Sequence, residues 1–327
     1  MSNLKNIAIV GAGGNIGRPI VSALLAGNKH ILTALTRPDS TSTLPPRVHH
    51  TKKVDFTNHA ALVPALQGQN ILIITLAVTA DPSVQKKLID AAAEAGVRYI
   101  LPNEYGINSA DETMRHDVRT GSEAIRDRQY IEEKGMGWIG ICCGFWYEFS
   151  LSGAEFRFGF DVEKKSLTVF GHGKQCITTS TWPFVGAAVA AVLGLPAEVA
   201  EAEGGKCLAD FRNRQVTVAS FRVSQMDMFH SVLRVTGTKE SEWTLSHEDV
   251  KERFARGQAM MKEGNMVGFG IQLYARSFFP DGKGDLEAVL QNEMLGLPYG
   301  MEGLDEATRV AVEYAESGKA KAWTFGL

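Results

Sequence analysis

The sequence predicts an α/β protein built on a doubly wound parallel sheet, followed by a smaller α+β lobe. Two observations carry this. Strand-like apolar runs and helix-period segments alternate from residue 6 to about residue 102, the pattern of a parallel sheet covered on both faces. The first strand and helix are joined by a glycine turn. Gly11, Gly14 and Gly17 stand between the run NIAIV (6–10) and Ile16, Ile20, Val21, Leu24 and Leu25, which recur at helical spacing. In such a turn Gly11 permits the tight bend, Gly14 lets a pyrophosphate approach the backbone, and Gly17 lets the helix pack close to the strand. The helix N-terminus adds N–H groups and the positive end of its dipole. The spacing is GxxGxxG, because Ile16 stands where a strict GxGxxG has its last glycine. Between strand and helix it predicts a dinucleotide site contacted by Gly11, Ala12, Gly14, Asn15, Ile16 and Gly17.

Each later element has its own signal. Residues 31–36 form the second strand, with Arg37 just past it. An acid here would bind the ribose hydroxyls of NAD, whereas an arginine accommodates a 2′-phosphate. No acid precedes Asp39, so the expected cofactor is NADP(H), held by Thr36 and Arg37. Arg18 either adds charge to this site or is simply exposed. Residues 40–46 are a polar loop and 49–54 a third strand. Asp55 and Phe56 follow where the adenine ring would lie; Asp55 or Thr57 can equally cap the helix at 60–66, which Gly68 closes. Residues 71–75 are a near-continuous apolar strand of the kind buried on both faces. Residues 76–79, starting with Leu76 and Ala77, pass beneath the cofactor. A helix at 81–95 has Pro82 in its first turn and Gly96 after its end. Residues 99–102 are the fifth strand, and Asn103 and Glu104 lie at its carboxyl end, where ligands of such sheets bind. A polar helix follows at 112–134 and a sixth strand at 138–143.

After Gly144 the character changes. Phe145, Trp146, Tyr147, Phe149, Phe156, Phe158 and Phe160 crowd together without clean periodicity. They suit an apolar pocket wall or a packed connector, and Phe145, Trp146, Tyr147 and Phe149 are the candidate pocket residues. A strand at 166–170, a small-residue helix at 184–193, an acidic loop at 198–205 and a strand at 216–219 follow. Ser224 caps a helix through Val235, Ser246 caps another through about Lys262, and a last helix spans 305–316. The aromatic segment 269–279 is placed to close over the pocket. The expected division is a nucleotide-binding domain at 1–150, joined by a returning helix near 183–195, and a substrate lobe at 151–327.

Composition narrows the function classes. A net charge of −3 argues against a nucleic-acid surface read by bulk electrostatics. The longest apolar runs, 71–80 and 185–195, are too short to span a bilayer. No charged-then-apolar leader opens the chain, so no signal peptide is expected. Cys142, Cys143, Cys176 and Cys207 form no CxxC pair, which implies neither a disulfide framework nor a zinc site and suits a cytoplasmic protein. The eight histidines show no HExxH spacing, so no catalytic metal is expected.

The glycine turn, Arg37, Asp55-Phe56 and LPNEYG at 101–106 together resemble the NmrA-like and isoflavone-reductase-like group of atypical short-chain dehydrogenases. GFWYEFSL at 144–151, LTVFGHGK at 167–174 and VGAAVAAVL at 185–193 are similar to its fungal CipA-like branch. The resemblance covers most of residues 6–195. It implies a Rossmann-type NADPH domain with a smaller C-terminal substrate lobe. Plant members carry SEFG where this chain has Asn103-Glu104-Tyr105-Gly106. In the group's reductases, a lysine on the next helix holds the nicotinamide ribose and serves in proton handling. Here no lysine occurs between Lys87 and Lys134, and the position falls near Ala124. The nearest cations are Arg119, Arg126 and Arg128. Arginine stays protonated, so it places charge but shuttles protons poorly; Arg126 is the candidate.

Tyr105 leads the candidate acid–base groups, at a strand end where the nicotinamide is expected, either for chemistry or to pack against the ring. Glu104, His116, Tyr147 and His172 are the others. Tyr130 and Lys134 spell YxxxK, but Lys134 ends its helix just before Gly135 and reads as a solvated helix end. The sequence thus points to an NADPH-dependent reductase of a hydrophobic, aromatic or secondary-metabolite small molecule. The alternatives are a non-catalytic NADP(H)-binding redox sensor that contacts a protein partner, and a redox-neutral isomerase or cyclase using the same pocket.

Overall fold

The computed structural model describes residues 4–77, 80–198, 205–297, 299 and 303–320. β1 (Asn6–Val10) leads through the glycine turn to α1 (Gly17–Ala26). Then come β2 (Ile31–Thr36), β3 (His50–Lys53), α2 (His59–Leu66), β4 (Ile71–Ile74), α3 (Pro82–Glu94) and β5 (Tyr99–Leu101). The two-residue β6 (Tyr105–Gly106), α4 (Glu112–Asp117) and α5 (Arg119–Glu133) precede β7 (Gly137–Cys142). Beyond lie β8 (Phe145–Trp146), α6 (Tyr147–Leu151), β9 (Phe160–Asp161), β10 (Ser166–Phe170), β11 (Ile177–Ser180) and α7 (Trp182–Leu193). The chain continues with β12 (Arg214–Thr217), β13 (Phe221–Val223), α8 (Gln225–Thr236), β14 (Thr244–Glu248), α9 (Val250–Lys262), α10 (Val267–Ser277) and α11 (Leu304–Glu316).

The large sheet runs β12-β7-β5-β4-β1-β2-β3, with β6 also paired to β7, and every pairing in it is parallel. The strand order reverses between β1 and β4, which opens a crevice at their carboxyl ends. β4 and β5 are buried at every residue, because both faces are covered. α1 and α7 pack on one face, and α2, α3 and α5 on the other. Gly186 lets α7 touch α1: a Cβ there would lie 2.5 Å from the Pro19 carbonyl oxygen.

Past residue 150 much of the chain builds another core, in which Phe158, Phe160, Leu167, Phe229 and Tyr274 meet. Two three-stranded sheets, β14-β10-β9 and β13-β11-β8, frame it. The returning helix is α7. β12, which the sequence placed in the substrate lobe, is the edge strand of the large sheet instead, so both cores draw on residues past 150.

Two predicted helices differ. The polar helix at 112–134 is broken at Val118, which is extended and buried. Gly121 lets the two pieces fold against each other, since a Cβ there would meet the Arg115 Cα at 2.8 Å. Asp117, at the break, is drawn to Arg276 of α10 at 2.5 Å. Ser246 caps no helix: it lies within β14, paired with Thr168 of β10. The cap of α9 is Asp249, whose carboxylate accepts from the Lys251 and Glu252 amides. In the expected acidic loop, residues 199–204 lie outside the described residues.

Candidate functional site

The crevice is built from backbone before any side chain enters it. Gly11 has φ +82°, and a Cβ there would lie 1.9 Å from the Thr75 carbonyl oxygen. A Cβ on Gly17 would lie 2.1 Å from the Gly11 carbonyl oxygen. Only glycine fits either place. Thr75, just past β4, seats itself in this turn and donates through Oγ1 to the Val10 carbonyl at 2.8 Å. Gly14 and Asn15 are exposed at the mouth, while Ala12 and Ile16 are buried behind it. Ile16, at the N-cap position of α1, gives no side-chain cap, whereas Asn58 and Asp81 cap α2 and α3. Within the first turn of α1 the Arg18 amide donates to the Gly14 carbonyl at 3.0 Å and Pro19 has no N–H, so the amides a pyrophosphate would meet are those of Gly17 and of Asn15 and Ile16 just before it.

Arg37 follows β2 with a side chain 66% exposed, 3.8 Å from Asp39. An exposed pair of that length binds weakly, so the guanidinium is available to a phosphate. Arg18 donates to the Thr43 carbonyl at 2.7 Å, which draws the 40–46 loop over Gly13. Thr36 is half-buried and accepts from the Val54 amide at 2.8 Å. Asp55 and Phe56, expected beside the adenine ring, are held in two different ways. The Asp55 carboxylate accepts from the amide and hydroxyl of Thr57, both at 2.8 Å, which holds it below the usual carboxylate range and makes a turn. The helix cap is Asn58 rather than Asp55 or Thr57. Phe56 is buried in the core under α2 and α3.

At the ends of β4 and β5 the side chains hold one another. Asn103 accepts from the Leu76 amide at 3.0 Å and donates to the Leu76 carbonyl at 3.1 Å. Its own amide donates to Gln85 of α3 at 2.8 Å, and Gln85 donates to Asp127 of α5. Burial pushes the Asp127 carboxyl up to about 6 despite that hydrogen bond. Ala77 is exposed, and Val78 and Thr79, also expected beneath the cofactor, lie outside the described residues. Glu104, also expected at the cofactor, is turned into the protein. It forms a buried ion pair with Arg128 (Nε to Oε2, 3.0 Å) and accepts from Ser109 and Gln215, each at 2.7 Å. Gly140 makes room for it, a Cβ there lying 3.0 Å from Oε2.

The two catalytic candidates fall on opposite faces of the sheet. Tyr105 is 8% exposed and points into the core under α1 and α7. Its hydroxyl makes no hydrogen bond among the described residues, and burial drives its pKa far above the usual value, so it is a poor acid. Arg126 is exposed on α5, which covers the other face. Ala124, where the resemblance puts a lysine, is buried. The Arg119 side chain lies outside what is described. His116 and His172 are exposed. Tyr147 is buried against Thr308, and burial raises its pKa. Tyr130 donates to Asp90, which also pairs with Lys134 at 2.7 Å. They sit at the end of α5 that leads into β7, remote from the carboxyl ends of the strands.

The aromatic cluster is chiefly core. Phe145 stacks on Tyr274 with centroids 4.0 Å apart, while Trp146 and Phe149 pack with Trp182 on the other core. Of the four pocket candidates, Phe145 reaches a cleft. Ile107, Asn108, Met114, Phe145, Thr178 and Leu286 line it, with Ser277 and Lys283 at its edge. Its free volume is about 10 Å³, room for a single water. α10 and the loop after it clasp α4 across this cleft, through Arg276 to Asp117 and Lys283 to Asp111 at 2.6 Å.

Sequence reasoning missed Thr75, Gln85, Asp127 and the Lys283–Asp111 pair. Thr75 alone had a local signal, the polar residue ending an apolar strand. Among the described residues no three His, Cys, Asp or Glu side chains gather as a metal site, and no helix is long and apolar enough to cross a membrane. All four cysteines are free.

Over 307 residues, 89% of this chain and 94% of the relative, the sequence is 27% identical to the oxidoreductase aprR of Aspergillus flavus. A crystal structure of isoflavone reductase superposes with a TM-score of 0.71 at 19% identity, covering 94% of this chain and 99% of that one. The NADPH-dependent quinone oxidoreductase QOR2 of Escherichia coli, crystallised with NADPH, superposes with a TM-score of 0.67 at 18% identity, covering 92% and 98%. These two likenesses speak to the fold. Residues 3–155, which carry the glycine turn, Arg37 and the β4–β5 crevice, match the NmrA-like family.

Proposed function

We propose that this chain is an NADPH-dependent reductase acting on a hydrophobic small molecule, aromatic or of secondary metabolism. The observation that carries the reading is the crevice itself. The Gly11–Thr75–Gly17 contacts leave the start of α1 open to a pyrophosphate, and an exposed Arg37 follows the adjacent strand. Gly14, Asn15 and the amides of Ile16 and Gly17 would hold the phosphates, and Arg37 the 2′-phosphate. When bound, the dinucleotide supplies the hydride, and the protein supplies orientation and a dry cleft. The Phe145 cleft is the place for the substrate, and the α10 clasp must open to admit it. The relatives' printed names, oxidoreductase and NADPH-dependent quinone oxidoreductase, support the same class.

A second reading, a redox sensor that binds NADP(H) without turnover, is favoured by buried Ala124 where a lysine was expected and by the closed cleft. Fluorescence titration with NADPH and NADH, on wild type and Arg37→Ala, tests the cofactor. NADPH consumption over a panel of hydrophobic carbonyls, enones and imines tests the chemistry. Tight NADPH binding lost in Arg37→Ala, with turnover of at least one compound, is the expected result. Binding without turnover favours the sensor or a redox-neutral isomerase. Absence of binding to either nucleotide overturns the reading.

A further inference from the structure

Leu76 lies two residues past the end of β4, yet its backbone is still paired. Its amide donates to Asn103 Oδ1 at 3.0 Å, and its carbonyl accepts from Asn103 Nδ2 at 3.1 Å. One side-chain amide thus takes the place of a neighbouring strand. Asn103 is itself pinned, its backbone amide donating to Gln85 Oε1 at 2.8 Å. Gln85 is 8% exposed, and its Nε2 donates to Asp127. A carboxylate only accepts hydrogen bonds, so Asp127 fixes which end of the Gln85 amide faces Asn103.

We propose that Asp127, Gln85 and Asn103 form a positioning relay that sets the crevice floor at Leu76 for the nicotinamide half of the bound dinucleotide. The proposal rests on the NADP(H) reading above. It replaces a direct contact from Asn103 by action through Leu76. The relay joins α5, α3 and the ends of β4 and β5, so a rigid helix pair holds a stretch of chain that has left the sheet. Holding a reacting group to within a fraction of an ångström depends on such supporting bonds. The phosphates have a separate anchor in the glycine turn, where Thr75 and Gly17 pack without help from the relay. Loosening the floor therefore affects one half of the ligand and spares the other.

The test is a pair of titrations, one with NADPH and one with adenosine 2′,5′-bisphosphate, which lacks the nicotinamide half. The proteins are wild type, Gln85→Leu, Asn103→Ala and Asp127→Asn. Gln85→Leu and Asn103→Ala should each weaken NADPH roughly tenfold, the loss of one or two ordinary hydrogen bonds. Both should bind the bisphosphate within about twofold of wild type, which also reports that they are folded. Asp127→Asn can donate as well as accept, so it no longer fixes the Gln85 amide; it should weaken NADPH by about threefold and bind the bisphosphate as wild type does. NADPH binding unchanged in Gln85→Leu and Asn103→Ala overturns the relay, as does equal weakening of both ligands. Wild type that binds neither ligand defeats the dinucleotide reading itself, so the two failures are told apart by the wild-type arm.

Discussion

Replacing Arg128 by methionine separates a structural role for Glu104 from a ligand-binding one. Glu104 and Arg128 are 9% and 5% exposed. The carboxylate takes the guanidinium on both oxygens and also accepts from Ser109 and Gln215. Arg128→Met leaves a buried carboxylate with two neutral donors. Removing one partner of a buried pair costs about 3–5 kcal/mol, and the two surviving hydrogen bonds keep the loss near the lower end, about 3 kcal/mol. Domains carry about 5–15 kcal/mol of stability, so the variant should fold with a clearly lowered urea midpoint. The double variant Glu104→Gln/Arg128→Met buries no charge, and its amide oxygen still accepts from Ser109 and Gln215. It should regain about 2 kcal/mol over the single variant, a coupling readable from the complete cycle. NADPH affinity in the double variant should stay within about twofold of wild type. A cost below about 1 kcal/mol for Arg128→Met would mean the pair is wet in solution. A double variant that folds well yet loses NADPH would return Glu104 to the cofactor site and refute its structural assignment.

Gly17→Ala places a Cβ 2.1 Å from the Gly11 carbonyl oxygen, so the turn must move, and NADPH affinity should fall by about tenfold or more; Gly68→Ala, with nothing within 4 Å, should cost only about 1–2 kcal/mol of stability and leave binding intact. Asp127 titrates near 6 when folded against 3.8 for the ordinary group, so the native state holds its proton more tightly, and wild-type stability falls as pH rises from about 4 to about 6. The carboxyl is partly exposed, which discounts the effect to about 1–2 kcal/mol; Asp127→Asn should remove that slope in urea denaturation, and parallel pH profiles would refute it. Lys283→Met removes a partly exposed ion pair from the clasp, worth up to about 1 kcal/mol, and should speed amide exchange across 267–286 by about fivefold. Exchange unchanged there would show that Lys283 does not hold the clasp.

Much of the nucleotide-binding half was legible because its signals are local. Periodicity marked β1, β2, β4 and α1, and turn chemistry marked α2, α3 and α8, since each depends on residues within a few positions. Thr244–Glu248 was missed because a half-exposed strand whose partner is β10, nearly eighty residues earlier, carries no nearby signal. The break at Val118 was missed because Arg276, which draws on Asp117, comes from a distant helix. In sequence the aromatic run after Gly144 suits a pocket wall or a packed connector alike, because its sides are set by two elements: Phe145 and Trp146 alternate in the extended β8, and Tyr147 and Phe149 stand on opposite faces of α6. Phe145 and Tyr147 enter one core while Trp146 and Phe149 enter the other.

The same alternation governs the residues of LPNEYG. Three consecutive polar or aromatic side chains at a strand end suggest a cluster, yet the backbone sends them three ways. Asn103 reaches sideways to Leu76, Glu104 turns to Arg128 on α5, and Tyr105 enters the core under α1 and α7. Each fastens a different element to the end of β5: the β4 loop, one helical layer, and the other. The motif is therefore a junction, and its chemistry is that of holding. If hydride transfer occurs beside it, the bound dinucleotide carries the reactive group and this junction fixes where the reactive group lies. Substitutions in LPNEYG should then change affinity and stability before they change any intrinsic rate of a proton step, which is the opposite of what a tyrosine acid at position 105 would give.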